Sequence, residues 1–423
     1  MSEPAVFNRI RTTRILMVCF SLLLPAVLGV PQSSADDNGR MERLEREVQE
    51  LKTIVSQLVE ENRSLKASQE ASQAQMQSIS SVPAPSLPEK RGTVPTLNIR
   101  GFGNVQYDFS RVDRNDSTGS DTNNFALGDL DLFITSRVGD KISFLGETLF
   151  EFPGSGGSAV DVERVMLKYE WADWLNVSIG RGHTALSYWN QYYHHGKWLY
   201  TTTDRPATQR WEDEDGILPL HFVGIEAGGS VDVPGGTLSY ISNLGNGRGT
   251  VTDDIQIVAD KNDSKMGNIY FTYEPGAVEG LGVGGSFLHD TISADLATAD
   301  RGSEIDEDIY GVHLTYALAP YEFIAETNIV DHYNHATNLS NVTTGGYVQL
   351  AYTVNKYKPY FRYDWLWLDD ADPFFPGVQD EAGYTTGLRY ELSAYNALKL
   401  EYRYANKDDE NKNEFTVQSS FAF

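Results

Sequence analysis

The chain has 423 residues, is 12% aromatic with 23 Tyr and 37 Gly, and carries a formal net charge of -25. That length admits several soluble domains or one large barrel, and the Tyr- and Gly-rich composition favours strands and turns. The acidic balance excludes nucleic acid as a partner, because phosphate backbones are met by clustered Lys and Arg.

Arg9, Arg11 and Arg14 precede an apolar run over 15–30, and Ser33, Ser34 and Ala35 follow it. This is the pattern of a secretory signal peptide over residues 1–35, cut after Ala35. The rival is a retained membrane anchor, but the run falls short of the ~20 residues of a spanning helix and contains Pro25. The sole cysteine, Cys19, lies inside this leader. The mature chain is therefore expected to carry no thiol and no disulfide.

Residues 36–67 read as a coiled-coil oligomerisation segment. Met41, Leu44, Val48, Leu51, Val55, Leu58, Asn62 and Leu65 follow alternating spacings of three and four, the a/d seam of a heptad repeat. Val at a with Leu at d favours two strands, but apolar Ile54 and Val59 beside the seam widen it and point to a trimer. The alternative is one amphipathic helix packed on its own barrel. Residues 68–95 turn to Ser and Gln and then Pro83, Pro85, Pro88 and Pro95, the composition of a linker.

From residue 96 to 423 the chain reads as sixteen strand-like segments, beginning near 96, 124, 141, 160, 174, 220, 236, 265, 280, 307, 321, 344, 356, 382, 396 and 412. Each alternates an apolar and a polar face with period two. Phe361, Tyr363, Trp365 and Trp367, for example, oppose Lys358, Tyr360, Arg362 and Asp364. Short turns such as Gly139-Asp140 and Ala319-Pro320 alternate throughout with longer polar stretches, among them 110–123, 184–219, 332–343 and 406–411. Such sorting suits a barrel that spans two unlike compartments. Phe415, Val417, Phe421 and Phe423 share one face of the final strand, which ends on an aromatic residue and suits closure onto the first strand. Tyr169, Trp171 and Trp174 at one rim and Trp365 and Trp367 at the other fit aromatic girdles. The fold expected is an all-β transmembrane antiparallel barrel of about sixteen strands behind an N-terminal α-helical coiled coil, in the bacterial outer membrane with the coil in the periplasm.

Sixteen strands leave an interior too wide for strand side chains alone to fill, so a water-filled channel follows. The longest connection carries aromatics that suit a loop folded into the lumen. We expect it to constrict the pore through Tyr188, Trp189, Tyr192, Tyr193, His194, His195, Lys197, Trp198, Arg205, Arg210, Glu212 and Asp213. Parity places Arg100, Arg137, Arg164, Lys168, Arg362, Arg389 and Arg403 on the lumen wall, against acids such as Asp131, Glu147, Glu326 and Glu401. The lumen is then mixed and mildly acidic. The loop could instead pack against a trimer neighbour. His183, His194, His195 and His221 raise a metal reading, but no spacing among them fixes a tetrahedron, so neither metal nor cofactor is expected. Asp204 and Glu212 resemble a glycosidase pair only as many loop carboxylates do. No nucleophile motif is visible, and no enzyme activity is expected. Acidic clusters at Asp253-Asp254, Asp306-Glu307-Asp308, Asp369-Asp370 and Asp408-Asp409-Glu410 read as solvated outer loops. A sharper reading has divalent cations bridging them to lipopolysaccharide phosphates.

Over residues 96–423 the chain resembles the phosphate-selective porin O and P superfamily. The residues that carry this are Ile99-Arg100-Gly101-Phe102-Gly103, Ile179-Gly180-Arg181 before the long loop, and the Phe423 end. The resemblance implies a sixteen-stranded homotrimeric channel, and the leading coil resembles that of dicarboxylate and sucrose porins with N-terminal extensions. The chain departs from phosphate-selective members in lacking a dense arginine and lysine ladder. The expected function is therefore diffusion of ions and small hydrophilic solutes. Two alternatives remain: an envelope protein tethering the outer membrane through its coil, and a barrel that binds extracellular glycan through the aromatic loop.

Overall fold

The computed structural model describes residues 96–116, 118–152, 157–194, 196–210, 216–252, 259–295 and 302–423. The signal peptide, coiled coil and linker expected over 1–95 lie outside the described residues. So do His195, Glu212, Asp213 and the Asp253-Asp254 pair.

Sixteen strands form one closed antiparallel barrel in which each strand pairs with its chain neighbours. They are β1 (Thr96–Arg114), β2 (Gly119–Arg137), β3 (Ile142–Glu151), β4 (Ala159–Ala172), β5 (Leu175–His183), β6 (His221–Val233), β7 (Gly236–Asn246) and β8 (Met266–Pro275). They continue with β9 (Leu281–Ile292), β10 (Ile305–Leu318), β11 (Tyr321–Asn334), β12 (Leu339–Tyr352), β13 (Tyr357–Trp367), β14 (Glu381–Ser393), β15 (Asn396–Lys407) and β16 (Glu410–Ala422). Closure runs along β1 and β16, from Phe102 opposite Ala422 to Arg114 opposite Glu410. The Phe423 N–H donates to the Gly101 carbonyl at 3.0 Å, and the Gly101 N–H donates to the Phe423 carbonyl at 2.9 Å. The terminal aromatic is thus the last rung of the closing ladder.

The alternation produces a protein that is apolar outside and polar inside. Along β13, Phe361, Tyr363 and Trp367 are exposed, whereas Tyr360, Arg362 and Asp364 between them are buried. Phe125, Ile179, Leu244, Val312 and Leu350 continue the exposed apolar belt around the wall. A surface of that kind is stable only against lipid or another apolar phase. Trp171 and Trp174 stand out at the β4–β5 turn and Trp367 at the far end of β13, where the girdles were expected.

Three connections differ from expectation. The stretches 110–123, 332–343 and 406–411, read as long loops, reduce to short connections after Arg114, Asn334 and Lys407, because the flanking strands run further. Polar residues there carry the ladder past the apolar belt, where both faces meet water and the parity signal vanishes. Asp306, Glu307 and Asp308 likewise lie on β10 and not in a loop. Glu307 is fully buried between Arg248 at 3.1 Å and His332 at 3.0 Å. Asp306 and Asp308 pair with His335 and His289.

Candidate functional site

The connection between β5 and β6, residues 184–220, packs against inward-facing side chains of the wall. Its two ends are stapled together: the Thr184 N–H donates to the Leu220 carbonyl at 2.7 Å, and the Thr184 hydroxyl to the Pro219 carbonyl at 2.6 Å. Asn243 of β7 accepts from the Ala185 N–H at 2.7 Å, and Asn268 of β8 donates to the Ala185 carbonyl at 3.0 Å. A short helix, α1 (Tyr188–Tyr192), follows, capped by Ser187, whose hydroxyl accepts from the Asn190 N–H at 2.9 Å. Its first N–H groups point at Glu326 of β11, at 3.0 Å from Tyr188 and 3.4 Å from Trp189. A carboxylate belongs there, where unpaired helix N–H groups concentrate positive potential. Trp189 and Tyr200 are buried beside Tyr347 of β12 in an apolar core that also includes Leu186, Ile217, Leu288 and Phe374.

Beyond the helix, the wall grips the loop by its main chain. Arg362 of β13 donates to the carbonyls of Asp204 at 2.8 Å and Arg205 at 3.0 Å, and to the Thr202 hydroxyl at 3.0 Å. Arg389 of β14 donates to the carbonyls of Trp198 at 2.6 Å and Tyr200 at 2.5 Å. Lys399 of β15 reaches those of Lys197 at 2.5 Å and Thr202 at 2.7 Å, and Gln418 of β16 reaches that of Thr203 at 3.0 Å. Acids complete the clamp. Glu401 accepts from the Thr203 N–H and hydroxyl, and Asp364 accepts from the Ala207 N–H. Arg210 forms a bidentate pair with Glu381 at 2.6 and 2.7 Å.

The side chains expected on the lumen wall therefore divide. Arg362 and Arg389 point inward but are buried beneath the loop, and Arg403 also turns to Glu381, at 3.0 Å. Arg100, Arg137 and Lys168, on β1, β2 and β4, retain solvent-exposed side chains, and Arg164 of β4 is half-buried. On that side lies a cavity of about 410 Å³ lined by Arg137, Arg164, Lys168, Glu226, Asn190 and Gln191, among others. Arg164 pairs with Glu147, and Arg137 with Glu170 at 3.1 Å.

The expected loop residues also separate. Tyr192 is exposed, and the Tyr188 ring lies tilted against it at 4.5 Å. Trp189, His194 and Arg205 are buried, and Tyr193 packs against Trp189 at 4.9 Å. Trp198 stacks on Phe102 of β1, and Lys197 pairs with Asp129 of β2 at 3.4 Å. Burial pushes the Tyr188 phenol up to about 12. Burial alone would raise the Asp204 carboxyl, but Lys197 and Arg205 beside it outweigh that and hold it down at about 2. Burial opposes charge on Lys197 as well, yet Asp129 and Asp204 raise it above the ordinary lysine value.

Sequence parity missed Glu163. A register shift between Glu147 and Thr148 on β3 places an extra residue in β4, so Glu163 is buried with no solvent exposure beside inward-facing Arg164. Around it stand His183, His194 and His221, three of the four histidines that had no interpretable spacing in sequence.

Neither a family model nor a curated protein matches the sequence. Among solved structures, the fold is similar to an anion-selective porin from Comamonas acidovorans, with a TM-score of 0.55 at 13% identity over 78% of this chain and 100% of that one. It is also similar to the outer membrane channel DcaP of Acinetobacter baumannii, with a TM-score of 0.53 at 13% identity over 80% and 100%. Salmonella typhi OmpF gives 0.52 at 13% identity over 77% and 97%. At these identities the likeness is one of fold: a sixteen-stranded porin barrel.

Proposed function

We propose that the chain is an outer-membrane porin, a water-filled channel for ions and small hydrophilic solutes, narrowed by residues 184–220. The observation that carries this reading is the clamp itself. Buried charges fix the loop's main chain to the inner faces of β13–β15, while an open cavity lined by cations remains beside β1–β6. A loop held so firmly inside a barrel is suited to setting the width of a passage. The exposed apolar belt supports an outer-membrane location. Assembly as a homotrimer, contacts of the outer acids with lipopolysaccharide through divalent cations, a periplasmic coil and kinship with the phosphate-selective superfamily belong to the same reading.

The charges that line the cavity favour anions. Arg137, Arg164 and Lys168 line the cavity against Glu226, the pairing acids Glu147 and Glu170 lie outside the lining, and Glu326, Glu381 and Glu401 are committed to the loop or to cations. The test is the reversal potential of the purified protein in a planar bilayer under a salt gradient. Anion preference is expected, and Arg164→Gln with Lys168→Gln should shift it toward cations. Cation preference in the wild type would overturn the charge assignment. Absence of conductance would overturn the porin reading in favour of an envelope tether.

A further inference from the structure

Four potential metal ligands from four places in the chain converge where the inward loop leaves and rejoins the wall. His183 ends β5 and His221 begins β6, and the two are directly paired in register. Glu163 comes from the irregular stretch of β4, and His194 from the loop just after α1. All three imidazoles present Nε2 to one atom, Glu163 Oε2: His221 at 2.7 Å, His183 at 3.5 Å and His194 at 3.8 Å. The rings lie close together, with His183 centred 4.0 Å from His194 and 5.3 Å from His221. Each of the four side chains is at least nine-tenths buried.

We propose that Glu163, His183, His194 and His221 form a zinc-class metal site that ties the inward loop to the barrel wall. A tetrahedral ion with bonds of about 2.0–2.1 Å holds its ligand atoms roughly 3.3 Å apart. Glu163, His183 and His221 place their ligand atoms within 4.8 Å of one another, and His194, 3.8 Å from Glu163 but outside that mutual cluster, closes in on binding. Three imidazoles and one carboxylate match the donor preference of zinc and its neighbours, whereas magnesium and calcium prefer oxygen cages. With His194 drawn in as the fourth ligand, protein fills the coordination sphere, which makes this a structural site and not a hydrolytic one. Because the ligands come from β4, β5, β6 and the loop, the ion fastens the loop to strands that the cationic clamp of β13–β15 does not include. His183 also lines the cavity beside β1–β6, which gives an ion a route to the site from the lumen.

The rival is a buried hydrogen-bond cluster organised by Glu163 with no affinity for metal. The two are separated by titrating zinc into the purified, chelator-treated full chain by calorimetry, with bound metal counted per chain. The structure predicts one ion per chain. Loss of a ligand should weaken binding by no less than the roughly 10–100-fold typical of outer-shell partners, so Glu163→Gln and His221→Gln should fall at least that far. His194→Gln, on the loop and outside the strand ladder, serves as the variant least able to disturb barrel assembly. His335→Gln should bind as the wild type does. Cobalt(II) should give the visible absorption of a four-coordinate ion, a readout independent of any channel activity. Wild-type protein that takes up no stoichiometric zinc, or a His194→Gln variant that binds as tightly as wild type with an unchanged cobalt spectrum, would overturn the assignment. Either result would leave the porin reading standing. Zinc uptake by a protein that conducts nothing would do the reverse.

Discussion

Arg362 shows how far sequence reaches at the scale of a residue. Its inward parity was legible because Phe361 and Tyr363 flank it. Its burial was not, because its partners are main-chain oxygens of a loop more than 150 positions away. Arg362→Ala leaves Asp364 and those carbonyls buried without their cation, a loss of about 3–5 kcal/mol for a broken buried pair. The expected outcome is a lower temperature for loss of the folded form on semi-native gels. Asp204 yields a pH prediction. Its folded value of about 2 lies below the ordinary aspartate value of about 3.9. The stabilisation is therefore complete above about pH 4 and is lost as pH falls toward 2. Tryptophan fluorescence of the loop, through Trp189 and Trp198, should change in that window in the wild type and not in Asp204→Asn. Glu163 was illegible for a different reason: strict alternation assigns it to the outer face, and only the β3–β4 irregularity turns it inward.

At the scale of elements, alternation placed the strand starts to within two residues except at β2 and β12, which begin five residues earlier than expected, since inner and outer faces differ so sharply in polarity. The strand ends were less legible. Beyond the apolar belt, β1 and β2 continue through Arg111, Asp113, Asp121 and Asn123 with nothing in their composition to distinguish ladder from loop. Within β5, Gly180 of the Ile179-Gly180-Arg181 stretch has a structural reason to be glycine. It adopts φ +143°, and a Cβ there would lie 1.9 Å from the Val165 carbonyl oxygen. Gly180→Ala should destabilise by more than the ~1 kcal/mol that the same change can gain at a compatible position, and lower the yield of folded barrel. Gly267→Ala, where a Cβ meets nothing within 4 Å, should not. Ser187→Ala, which removes the cap of α1, should cost about 1 kcal/mol of loop docking. Protease sensitivity of the loop is the readout.

For the whole molecule, closure depends on the last few residues. Removing 421–423 deletes the pairing of Phe421 with Gly103 and the reciprocal Phe423–Gly101 hydrogen bonds, leaving β1 with open edge groups. Open edges are not tolerated in a bilayer, so the truncated chain should fail to reach the heat-modifiable form during refolding into detergent micelles. The wall's hold on the loop bears on how such a protein can change over time. Arg362, Arg389, Lys399 and Gln418 grasp carbonyl oxygens between Lys197 and Arg205. Every amino acid supplies a carbonyl. Main-chain anchors of that kind hold the path of the segment without specifying its side chains, so at exposed Leu199 and half-buried Trp198 the sequence can drift while the architecture is inherited unchanged.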